Sequence, residues 1–97
     1  MMVDIQYVKR HLRIDGCDED DLLESYIIAA SESVTNYLNM DEGDLLDEYG
    51  YVPHAIRNAI CMIVGSMYRD REATGERGVN INPIFLSMLR PFKRVLL

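Results

Sequence analysis

Along this chain apolar residues recur at intervals of three and four, the period of helices packed by one face. Ile5, Val8 and Leu12 share one such face, and Asp4 ahead of them is a good N-cap, so the pattern predicts a helix over residues 4–12. Asp15-Gly16 reads as a turn. Leu23, Ile27, Ala30, Val34, Tyr37 and Leu38, with Tyr26 alongside, form the stripe of a longer helix expected over 18–40. Asp18 is placed to cap it, with Glu19, Asp20 and Asp21 in a first turn that favours negative charge. Residues 41–52 are acidic with two glycines and read as a loop with one short turn around Leu45-Leu46. Pro53 suits the first position of a third helix over 53–73. Its broad apolar face (Ile56, Ala59, Ile60, Ile63, Val64, Met67, Tyr68) marks it as the most buried element. Two glycines and two asparagines make 75–82 an expected mobile loop. Asn82 and Pro83 open a short fourth helix over 83–90, which Pro91 closes. The fold class is therefore all-α: one domain over residues 1–97, a small bundle of about four helices.

Ninety-seven residues lie near the lower end of what buries a self-sufficient core, and an apolar fraction of 48% is ordinary for a folded domain. No run of about 18 apolar residues is present, so no membrane span is expected. Asp4, Gln6, Lys9 and Arg10 interrupt any signal-peptide plan, which predicts a protein that stays where it is made. Cys17 and Cys61 then read as thiols rather than a bridge. The net charge of −6 conceals an asymmetry. Residues 1–52 carry three basic and thirteen acidic side chains, net −10, while residues 53–97 carry seven basic and three acidic, net +4. An acidic balance argues against a simple phosphate-gripping DNA binder. Opposite charge on two halves suits head-to-tail contact between copies, although scattered charge on solvated helix faces gives the same count.

The residues offer little chemistry. The acids Asp18 to Asp21 are consecutive and open a helix, whereas a calcium loop needs alternating ligands, a glycine bend and a distal Glu. His11 and His54 have no companion at ligand spacing, and the two cysteines do not form CxxC, so no metal and no cofactor is expected. Cys61 reads as a small core residue. No serine sits in a nucleophile elbow, and Gly75 to Gly78 lacks the ending of a phosphate-binding loop. The expectation is a protein that is not an enzyme. Tyr68-Arg69-Asp70-Arg71-Glu72, ending the most apolar helix, reads either as surface ion pairing or as a contact with a partner.

The order of these features is familiar. A first helix ending in Val8-Lys9-Arg10-His11-Leu12-Arg13-Ile14-Asp15 precedes the acidic Asp18-Glu19-Asp20-Asp21, followed by Leu22-Leu23-Glu24 and Ile27-Ile28-Ala29-Ala30. Pro53-His54-Ala55-Ile56 then opens a helix ending in Tyr68-Arg69-Asp70-Arg71-Glu72-Ala73, and a short helix carries Leu86, Leu89 and Pro91-Phe92. Over nearly its full length the chain resembles the small head–tail connector family of tailed bacteriophages and prophages, also labelled putative DNA-packaging proteins. It departs from the family at Pro91-Phe92, where Pro-Tyr is frequent, and residues 41–52 match nothing.

The resemblance implies a homo-oligomeric ring below the portal protein that extends the DNA channel and receives a downstream neck or tail-completion protein. DNA would pass through without sequence recognition, and net acidity suits a wall along which phosphate slides. The location implied is the virion neck, reached through assembly in the host cytoplasm, with no membrane partner. Arg69, Arg71 and Glu72 are the candidate subunit interface. Phe92, Lys93, Arg94, Val95, Leu96 and Leu97 are candidates for portal docking, with folding back over the domain's own core as the alternative. A different class, a small helical DNA-binding or packaging-accessory protein, would use the basic second half on DNA.

Overall fold

A computed structural model describes residues 2–69 and 83–94. Five α-helices run through them: α1 (Ile5–Leu12), α2 (Asp20–Leu38), α3 (Glu42–Tyr49), α4 (His54–Arg69) and α5 (Pro83–Leu89). A single 3-10 turn, Arg90–Phe92, follows α5, and no strand occurs among the described residues.

Helix α4 is the hub. It packs against α1, α2 and α5, and α1 also packs against α2. Ile56, Ala59, Ile60, Ile63, Val64 and Met67 of α4 meet Leu23, Ile27, Ala30, Val34 and Leu38 of α2 in one buried apolar cluster. Each fully buried Ile, Leu or Val contributes roughly 1.5–3 kcal/mol, so this pairing dominates the stability. Cys61 lies in the same cluster, and burial pushes its thiol up to about 11, an effect that nearby Arg57 partly opposes. Gly65 supplies the room for α1, since a Cβ there would come 2.9 Å from Leu12 Cδ2.

Helix α1 begins as its sequence predicts. The Asp4 carboxylate accepts from the Tyr7 amide at 2.7 Å, and Val3 and Val8 on either side of the cap are both buried. An apolar residue before the cap and another four after it fix the entry angle of the chain. The same device starts α3, which corrects the expected loop over 41–52. Met40 and Leu45 are buried either side of Asp41, whose carboxylate accepts from the Asp44 amide at 2.8 Å. The Asp44 carboxylate in turn accepts from the Asp41 amide at 3.1 Å, a reciprocal capping box. Gly50, at φ 79°, ends the helix in the left-handed conformation that glycine adopts without strain.

A second correction concerns the start of α2. Its N-cap is Glu19, without a side-chain capping bond, and Asp18 lies outside the helix; Asp20 and Asp21 occupy the first turn. Pro53 stands immediately before α4 rather than at its first position, its carbonyl accepting from the Ile56 and Arg57 amides at 3.0 and 3.1 Å. Helix α4 is described to Arg69; the expected continuation to residue 73 and the expected loop at 75–82 lie outside the described residues. Pro91 does not stop the chain abruptly but sits within the 3-10 turn, where its missing amide is no loss.

Candidate assembly surfaces

The turn between α1 and α2 is built around one lysine. Lys9 is nearly buried; its ammonium donates to the Gly16 carbonyl and forms an ion pair with Asp20 Oδ1. Arg13 adopts φ 59°, and the Ile14 amide reaches back to the Lys9 carbonyl at 2.9 Å, closing α1 with a Schellman-type turn. From α4, the Tyr68 hydroxyl donates to Glu19 Oε1 at 2.8 Å. Lys9 and Tyr68 thus both hold the acidic run against the bundle. A groove of about 530 Å³ beside this turn is lined by Gln6, Arg10, Arg13, Ile14 and Asp15 among others.

Tyr7 joins α1 to α4 by a second route. Its hydroxyl donates to Asn58 Oδ1 at 3.0 Å, and the Arg57 guanidinium carbon lies 4.3 Å from its ring centroid. Such cation–π contacts are worth about 0.5–2 kcal/mol. Neither this joint nor the Lys9 turn was legible in the apolar periodicity, because both depend on polar groups meeting across the bundle.

The candidate site residues fall in separate places. Arg69 is exposed at the described end of α4, while Arg71 and Glu72 lie outside the described residues. Phe92, Lys93 and Arg94 are brought together on the C-terminal half of α2 and on α3. The Phe92 ring meets Tyr49 edge-on at 5.8 Å between centroids. Lys93 Nζ sits 4.7 Å from the Tyr37 ring centroid. The Arg94 amide donates to the Leu38 carbonyl at 2.8 Å, and Asn39 Nδ2 donates to the Arg94 carbonyl at 3.0 Å. Its guanidinium lies 3.7 Å from Asp44 and 3.6 Å from Glu48, both exposed pairs worth at most about 1 kcal/mol. Val95, Leu96 and Leu97 lie outside the described residues.

Outside these joints, α2 and α3 expose acidic side chains and isolated apolar ones. Asp21, Glu24, Ile28 and Glu32 stand exposed along one face of α2, and Asp47 and Glu48 along α3. Among the described residues, Ile28, Leu46, Tyr51 and Ile84 are the large apolar ones left in water, at 46–62% exposure. Ile28 borders a groove of about 230 Å³ with Met2, Ser31, Glu32, Thr35 and Glu42. No group of three or more potential metal ligands occurs among the described residues, and none of their helices is long and apolar enough to cross a membrane.

The chain matches the model of the phage gp6-like head-tail connector protein family over residues 2–93, and it belongs to that family. No curated protein and no solved structure matches it. Membership assigns a structural role in joining phage head to tail, at the head–tail junction of the virion and in contact with other head and tail proteins. This family is not a class of enzymes.

Proposed function

We propose that the chain assembles as a ring on the portal protein, extends the DNA channel and offers the next neck or tail-completion protein its docking surface. The observation that carries this reading is the connector-family match over residues 2–93. The acidic faces of α2 and α3 are in keeping with it, because carboxylates facing a channel repel phosphate and leave DNA free to slide. Arg69, Arg71 and Glu72 are the proposed subunit contacts, and the tail Phe92, Lys93, Arg94, Val95, Leu96 and Leu97 the proposed portal contact. In this reading the chain passes from the host cytoplasm into the virion neck during assembly.

Light scattering after size exclusion, on the chain alone and mixed with purified portal, tests it. The expected result is a ring-sized species or co-elution with the portal. A monomer that ignores the portal yet shifts with duplex DNA in a salt-dependent manner would replace this reading with a DNA-binding one.

A further inference from the structure

Two exposed isoleucines on different helices stand in complementary electrostatic settings. Ile28 is 52% exposed on α2 beside the groove of about 230 Å³, whose floor includes the buried Met2 and whose rim includes Glu32 and Glu42. Glu24 and Glu32 lie one turn either side of Ile28, so this apolar spot is framed by carboxylates. On α5, Ile84 is 62% exposed, and the exposed Arg90 follows it in the 3-10 turn. Because α2 and α5 each pack on α4, the two spots belong to separate elements of the bundle.

Single exposed apolar residues are ordinary, but a groove with an acidic rim and an exposed stripe of α5 that runs at three-residue steps from Ile84 through Ser87 to Arg90 are complementary in charge. We propose that neighbouring copies of this chain join head to tail, with Ile84 of one copy seated in the Ile28 groove of the next and Arg90 reaching the Glu32 side of its rim. This rests on the ring reading above and adds an apolar contact to the subunit contacts proposed there at Arg69, Arg71 and Glu72. A contact between two different patches is heterologous: each added copy leaves one groove and one knob open, until rotation closes the ring. Burying both isoleucines supplies the apolar core of the contact, and the Glu32–Arg90 pair sets its direction.

Directed cross-linking tests it in a Cys17→Ser background, which removes the exposed native thiol. Chains carrying Ile28→Cys and Ile84→Cys are oxidised mildly, separately and mixed, both free in solution and bound to portal. The expected result is a disulfide dimer in the mixture and none from either variant alone, with a ladder of products from the double variant. Glu32→Arg is expected to abolish the mixed product, and Arg90→Glu in the partner chain to restore it. Equal cross-linking of like with like, or failure of the charge swap to restore the product, overturns the pairing. A multimer by light scattering without the mixed product removes these surfaces and leaves the ring standing. A monomer both alone and with portal removes the ring and this contact together.

Discussion

Cys61 is wholly buried in the α2–α4 core, and loss of solvation raises its thiol from 9.0 to about 11, with Arg57 pulling weakly the other way. The folded state holds this proton more tightly than the unfolded chain does. Its contribution is therefore fully present below pH 9 and is lost as pH rises from about 9 to 11. The loss amounts to roughly 2–3 kcal/mol, which urea melts across that range would show as a falling midpoint. In Cys61→Ala the same decline should be shallower, after a fixed cost of about 1 kcal/mol for the smaller side chain. Cys61 as a core residue was legible from its helical face. Lys9 was not: its type and its place in a basic run predict a solvated side chain, and only the return of the chain at Gly16 and Asp20 draws it inside.

Helix α3 shows what a local pattern contains and what hides it. Met40, Asp41, Asp44 and Leu45 form a complete N-terminal signature: apolar, cap, acid three later, apolar. Two glycines and a dense run of acids obscured it, yet Gly50 marks the helix end and Gly43 lies in the first turn, where a Cβ would crowd the Asp41 carboxylate at 3.3 Å. Asp41→Ala should cost about 0.5–2 kcal/mol by removing the cap, and Leu45→Ala about 2–5 kcal/mol by leaving a cavity. Thermal melts followed by circular dichroism would rank the two; equal, negligible effects would mean α3 adds nothing to the core. The other helices were legible because their periodicity was strong, and α1 also because Asp4 is a conventional cap; the start of α2 was misplaced because its acidic run offers several caps and the one used, Glu19, makes no capping bond. What periodicity could not supply was the strap after α5. Phe92 and Arg94 tie that strap to Tyr49 and Leu38, across a sequence separation no local rule spans. Deleting residues 91–97 should therefore lower Tm by roughly 5–10 °C through loss of these contacts. Lost portal binding at unchanged Tm would instead assign the segment to docking alone.

For the whole molecule, two electrostatic terms act in opposite directions on assembly. Each copy carries −6, so copies repel at long range, while acidic α2 and the cation beside α5 attract at short range. The screening length decides which is felt. At about 0.01 M salt it is about 30 Å, comparable to the 28 Å middle dimension of the molecule, so an approaching copy senses the full net charge. At about 0.1 M it shrinks to about 10 Å, and mainly the facing patches count. Near 1 M, at about 3 Å, even these are screened and apolar burial alone remains. The association rate should then pass through a maximum near 0.1 M, while the dissociation rate, set by the buried contact, changes far less. Stopped-flow light scattering at the three ionic strengths, with or without portal as the template, measures this directly. A rate that climbs steadily with salt would mean that net repulsion is the only electrostatic term, and that the separation of charge along the chain serves the channel wall rather than the joint between copies.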